Sequence, residues 1–426
     1  MRSPYFKKAP EKQDTPNPST IEVAKNHEKK IMKQVTWVIK ASKFCNLRCK
    51  YCYEWNELAD KTRMPLDLWR KIFIAIQDHH HILQNKYDGQ VKSRLVIHGG
   101  EPFALPISYL TEVMQLKTKI FGTHAHDKDI YPNSLQTNLY RINSQIIDFI
   151  KRYNIDIGVS FDLIGGIRLA ANGKETEERI KNNMDLCRKA GINIGGITVL
   201  AKHTSEYIEE IYDFYAEENI PFRILPLFSG YEQTNSPEIN LSYDEIRASL
   251  KQLLHHWINQ ENRIRVTPLD ESLQTVLRHK LGLKGNLYTR RHYGDPVILV
   301  NLDGHMYRVI DAYDQNLSLG NLNQQSISEI LSSDRYEKSL TRDETETKNL
   351  CQSCKYAGTC NGWPIFESAH PETYQTHCPI SYFIYETIND FLDDNGFTSQ
   401  EIKTLSSDLL THHHPKAGSI ECEVTL

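Results

Sequence analysis

No uninterrupted apolar stretch in the 426 residues approaches the length needed to span a bilayer, which argues against a membrane-spanning helix. Nor is there an excess of charge of one sign. Fifty Lys and Arg against 54 Asp and Glu leave a net charge of -4, so bulk electrostatics make no case for a nucleic-acid partner. Residues 1–34 are rich in Lys, Glu, Pro and Asn and lack the apolar core of a secretory signal. They are expected to form a flexible polar leader on a cytoplasmic protein. No internal repeat is visible, and no cysteine lies between Cys187 and Cys351. What is present is ordinary for a globular chain: 39% hydrophobic and 24% charged residues, at a length that suits one large domain plus an accessory one.

The cysteines are unevenly placed. Seven of the nine fall into two tight groups, Cys45, Cys49 and Cys52, then Cys351, Cys354, Cys360 and Cys378, with Cys187 and Cys422 apart. In a reducing compartment, thiols grouped in this way are more often metal ligands than disulfides, because nearby thiolates can converge on one ion or cluster. The runs His79-His80-His81 and His412-His413-His414 are expected at solvated surface or in a tail, since adjacent residues on a helix do not share a face.

Short β-branched and apolar runs alternate with amphipathic ones. Strands are expected at Val35–Ala41, Arg94–His98, Tyr131–Gln136, Asp156–Ser160, Asn193–Val199 and Phe222–Pro226. Helices are expected at Pro65–Asp78, Asn143–Tyr153, Thr176–Ala190 and Glu206–Glu218. This sixfold β/α rhythm implies an α/β fold with a parallel sheet, open or partly closed into a barrel, over residues 35–230. Linking helices are expected over 231–296, with one at Ser242–Gln260. A hairpin around Asp303-Gly304 begins a second domain at 297–395, which includes a helix at Ile380–Asp394, and a polar tail follows at 396–426.

The first cysteine group, Cys45-Asn-Leu-Arg-Cys49-Lys-Tyr-Cys52, follows the first strand at its C-terminal end, where β/α folds place active sites. Three thiolates can hold three irons of a cubane and leave the fourth iron open. The same loop can also form a zinc site completed by His98 or another residue. One β/α unit later comes His98-Gly99-Gly100-Glu101-Pro102. A glycine pair there lets a ligand approach the backbone, and Glu101 can accept from a ligand ammonium.

Together, the triplet and Gly-Gly-Glu-Pro resemble the radical S-adenosylmethionine (SAM) superfamily over roughly Val35–Pro226. The resemblance implies a partial (β/α)6 TIM-like barrel with a [4Fe-4S] cluster on Cys45, Cys49 and Cys52. Its open iron would bind SAM, which is cleaved to methionine and a 5′-deoxyadenosyl radical. It further implies SAM contacts from Tyr51, Gly99, Gly100, Glu101, Gln136, Asn138, Ser160, Arg168 and Ile197. Strand-end capping for Ser160, a surface charge for Arg168 and plain core for Ile197 are the competing readings.

The order of hairpin, Leu319-Gly320-Asn321-Leu322 and second cysteine group resembles the SPASM extension of peptide- and protein-modifying members. This implies a second [4Fe-4S] cluster on Cys351, Cys354, Cys360 and Cys378. The family's other auxiliary cluster lacks its ligands here, since Val309 and Pro364 stand at two of the positions. Two clusters in all are therefore expected. The resemblance further implies a ribosomal precursor peptide as substrate, an electron donor such as flavodoxin or ferredoxin, and a cross-linking (cyclophane-like) reaction. Asp311 is the candidate base by position, against an ordinary loop-capping role. Formylglycine formation, as in sulfatase maturases, and thioether formation are the alternative chemistries. A zinc-binding module that recruits a partner is the non-enzyme alternative.

Overall fold

A computed structural model describes residues 33–87, 91–227, 237–260, 263–283, 296–308, 315–360, 362, 378 and 380–412. Asp311, Val309, Pro364 and Cys422, together with His413 and His414, lie outside the described residues. The strands are β1 (Lys33–Ser42), β2 (Leu47–Cys49), β3 (Val91–Gly99), β4 (Asn133–Thr137), β5 (Ile155–Ser160), β6 (Arg168–Ala170), β7 (Ile194–Leu200), β8 (Phe222–Pro226), β9 (Val266–Thr267), β10 (Val297–Val300), β11 (His305–Arg308) and β12 (Gly320–Asn321).

Six of the expected strands become β1, β3, β4, β5, β7 and β8, which lie side by side and parallel in chain order. β9 extends this row beyond β8, while β10 pairs parallel with β1 at the other side. The full order is β12-β11-β10-β1-β3-β4-β5-β7-β8-β9, so the sheet is open. The hairpin β10–β11 turns at Gly304, whose φ of 86° suits glycine, and it continues the core sheet instead of starting a separate one.

Alternation along β1 shows why the sheet has two unlike faces. Val35, Trp37, Ile39 and Ala41 join the large core under the helices, whereas Val38 packs with Val96, Leu299 and Tyr307 on the opposite face. Lys40, His98, Ser134 and Gln136 share that second face by register and are buried. The helix Leu66–Lys86 covers the first face through Leu68, Trp69, Ile72, Phe73, Ile76 and His80 at helical spacing. It outruns its expected end at Asp78 and carries the first histidine run. His80 is correspondingly buried, with Nδ1 2.9 Å from Ser93 Oγ and its ring against Tyr131, so only His81 of the three has the expected exposed setting.

Side-chain caps set other boundaries: Asn143 accepts from Ile146 N, and Ser242 and Glu245 form a reciprocal box. The expected polar tail contains a helix, Ser399–His412, with Ile402 buried in the core. Among the described residues, no helix is long and apolar enough to cross a membrane.

Candidate active site

The cysteine loop leaves β1 at Ser42 and is held by backbone hydrogen bonds. Cys45 N donates to Leu58 O at 3.1 Å, Cys52 N donates to Cys49 O at 3.0 Å, and Lys50 N donates to Ile167 O at 3.0 Å. The short ribbon β2–β6 pairs Cys49 directly with Arg168. Buried Lys40 of β1 forms an ion pair with Glu54, two residues past Cys52, which ties the far end of the loop to the sheet.

Gly99 and Gly100 are required by the chain itself. A Cβ on Gly99 would lie 2.0 Å from Ser42 O, and one on Gly100 would lie 2.3 Å from Lys43 O and 2.4 Å from Phe44 O. Gly100 N donates to Ser42 O at 2.9 Å, and Glu101 N donates to Phe44 O at 2.8 Å. The glycines therefore admit the backbone of the cysteine loop, a role the sequence reading did not give them. Glu101 likewise faces inward. It accepts from Phe103 N at 2.9 Å, Thr137 Oγ1 at 2.8 Å and Asn138 N at 2.6 Å, which ties the ends of β3 and β4 together.

The remaining positions meet around the loop. Asn138 donates to Asn46 Oδ1 at 2.9 Å and to Cys45 Sγ at 3.6 Å. Gln136 Nε2 donates to Ser160 Oγ at 2.7 Å, and Ser160 pairs in register with Ile197. Arg168 donates to the Tyr51 hydroxyl, which donates to Asp162 Oδ2 at 2.5 Å, while Asp162 Oδ1 accepts from Val199 N at 2.9 Å. Arg168 is buried, so it is no surface charge, and Ile197 is buried as core and site readings both require. Asp162, Asn46, Lys40 and Glu54 were missed as site residues. Only Asp162 had a signal, its place just past a strand end in Val159-Ser160-Phe161-Asp162.

Burial, and next the nearby Glu101 carboxylate, push the Cys45 thiol up to about 12. Burial followed by the neighbouring Cys49 does the same to Cys52. Such thiols ionise together only against a positive centre, so this donor set fits an iron–sulfur cluster. The second group behaves alike. Burial, then Cys360, Cys354 and Cys378, push Cys351 up to about 12, so Cys351 is within electrostatic reach of the other three thiols. Among the described residues, no three His, Cys, Asp or Glu side chains close round one point as a single ion requires. Cys187 is buried in the core on the helix Glu177–Lys189.

Comparisons with known proteins agree with this division. Residues 39–215 match the Radical SAM superfamily, and residues 293–355 match SPASM, an iron–sulfur cluster-binding domain. A cysteine-type anaerobic sulfatase-maturating enzyme of Clostridium perfringens (strain 13 / Type A) is 23% identical over 334 residues, covering 76% of this chain and 86% of that one. A serine-type counterpart from Bacteroides thetaiotaomicron is 20% identical over 341 residues, 75% of this chain and 79% of that one. Among solved structures, native anSMEcpe with bound AdoMet superposes with a TM-score of 0.66 at 20% identity over 88% of this chain and 100% of that one. Streptococcus suis SuiB bound to precursor peptide SuiA gives 0.53 at 17% identity, over 84% of this chain and 80% of that one. The chain therefore belongs to the radical SAM superfamily, as an enzyme that uses SAM and iron–sulfur clusters and carries a SPASM domain in its C-terminal part.

Proposed function

We propose that the protein is a peptide maturase that removes a hydrogen from a side chain of a ribosomally made precursor and closes an intramolecular C–C or C–O cross-link. The observation that carries this reading is the second cysteine group. Cys351 lies within electrostatic reach of Cys354, Cys360 and Cys378, while no cysteine lies between Cys187 and Cys351 to ligate a further auxiliary cluster. Cys351, Cys354, Cys360 and Cys378 make a closed ligand set, suited to accepting an electron and leaving no iron for substrate. SuiB, solved with its precursor peptide, supports a peptide as substrate. A flavodoxin- or ferredoxin-type donor and a cytoplasmic setting complete the proposal.

When bound at Cys45, Cys49 and Cys52, the cluster and SAM supply the 5′-deoxyadenosyl radical that abstracts the hydrogen. The chain's own residues orient that site. Glu101 and the two glycines lock the loop to β3 and β4, and Asn138 braces Cys45. The Gln136–Ser160 pair and Ile197 line the neighbouring strand ends, where we place the nucleoside. Arg168, fixed through Tyr51 and Asp162, holds a guanidinium beside Cys49, where it can meet the SAM carboxylate. Asp311 is proposed as the base that takes the proton released on cross-linking.

Oxidation of a Cys or Ser side chain to formylglycine is the second reading, favoured by similarity to the sulfatase-maturating enzymes. Co-expression with short neighbouring reading frames separates the two. Cross-linking removes two hydrogens, so the product is about two mass units lighter, resists sequencing across the ring and does not react with hydrazide. A hydrazide-reactive aldehyde supports formylglycine instead. Zinc with no acid-labile sulfide, in place of about eight irons per chain, would sink both readings.

A further inference from the structure

The Cys360 sulfur lies within hydrogen-bond distance of a buried phenol. Tyr385, on the helix Ser381–Asp394, lies with its hydroxyl 3.1 Å from Cys360 Sγ, and Gly362 N reaches the same sulfur at 3.2 Å. As a cluster ligand Cys360 would be a thiolate, which only accepts, so the phenol would donate. Tyr385 is 3% exposed. Its ring packs edge-on against Tyr356, with centroids 5.0 Å apart at 63°. Tyr356 is itself fixed, since its hydroxyl donates to Glu386 Oε1 at 2.6 Å and its ring lies 4.8 Å from that of His279. Glu386 in turn pairs with Lys355 at 2.7 Å. The phenol is thus held by packing and has little freedom to turn away.

We propose that Tyr385 sets the reduction potential of the C-terminal cluster by donating to Cys360, which makes that cluster a better electron acceptor. The idea rests on the two-cluster reading above. Reduction adds negative charge to a cluster and its sulfurs, and a hydrogen bond to a ligand sulfur stabilises that added charge, so the potential rises. The phenol is a positioning residue, since it acts through Cys360 and needs no contact with substrate. An electron arriving from the substrate radical would find a cluster made easier to reduce.

The test compares full-length holoprotein with the Y385F variant under anaerobic conditions. The phenyl ring preserves packing against Tyr356 and removes the hydroxyl that meets both Cys360 and the Ser381 side chain. Redox titration followed by electron paramagnetic resonance is expected to show a more negative midpoint for the C-terminal cluster, while the first cluster, told apart by its response to added SAM, keeps its midpoint. Proton electron–nuclear double resonance on the wild type, in H2O and D2O, should detect an exchangeable proton coupled to the C-terminal cluster that Y385F loses. About eight irons in both proteins with unchanged midpoints, or no such proton in the wild type, overturns the tuning role alone. About four irons in the wild type, carried only by the first group, overturns the ligand set and the proposal with it.

Discussion

Asn138 donates to Cys45 Sγ at 3.6 Å across 93 positions of sequence, so a residue at the end of β4 acts on a thiol in the loop after β1. The same amide holds Asn46 Oδ1 at 2.9 Å, which limits how the loop can turn. Substituting Asn138→Ala removes one donor to a ligand sulfur and leaves the ligand set intact. The expected outcome is full iron content with a more negative midpoint for the first cluster, and hence slower reductive cleavage of SAM. Redox titration and the rate of deoxyadenosine release check it. An unchanged midpoint would show that Asn138 serves only to shape the loop.

Gly100 tests whether the glycine pair serves the loop or a ligand. In Gly100→Ala the new methyl would sit 2.3 Å from Lys43 O and 2.4 Å from Phe44 O, where only backbone movement relieves it. Overpacking of this kind costs about 1–3 kcal/mol, and here the cost falls on the cysteine loop. Iron per chain should fall by about four while the C-terminal cluster's spectrum persists. If G100A keeps all its iron and loses only SAM affinity, the ligand reading is the correct one.

Lys40 and Glu54 form a buried ion pair that anchors the far end of the same loop. Burial pushes the Lys40 ammonium down, and Glu54 is the largest influence holding its charge. Glu54→Gln removes the carboxylate that does most to hold that charge, at a cost of about 3–5 kcal/mol, whereas a Lys40→Met, Glu54→Leu double variant should recover most of the loss. Thermal unfolding of the three proteins measures this. A double variant no more stable than E54Q would mean that the pair matters for geometry alone.

Local pattern carried much of the fold. The alternation of Val35, Trp37, Ile39 and Ala41, the helical spacing of Leu68, Ile72 and Ile76, and the Asn143 and Ser242 caps are all written within a few residues. The six parallel strands and the helices Asn143–Tyr153 and Thr176–Ala190 were accordingly legible to within a residue or two at most boundaries. The cysteine triplet and Gly99-Gly100-Glu101-Pro102 were legible for the same reason, because spacing along one segment states which side chains can converge. His80 was misread because polar composition suggested exposure, and the helix Ser399–His412 within the polar tail was not foreseen. A single imidazole with Ser93 to bond, and a polar helix with Ile402 to bury, need only one favourable face.

By itself, then, the sequence determined which side chains are chemically able to form the site: three thiols on one loop, a Gly-Gly-Glu turn after the next parallel strand, and four thiols near the C-terminal end. Only the tertiary structure decided what those groups touch. It turned Glu101 inward to the donors of Phe103, Thr137 and Asn138, spent the two glycines on the backbone of Ser42–Phe44, linked Arg168 to Asp162 through Tyr51, and set Tyr385 on Cys360. The physical reason is that a hydrogen bond between distant segments depends on sheet order and on which face each strand end presents. Those follow from packing of the whole chain, and no spacing within a single segment encodes them.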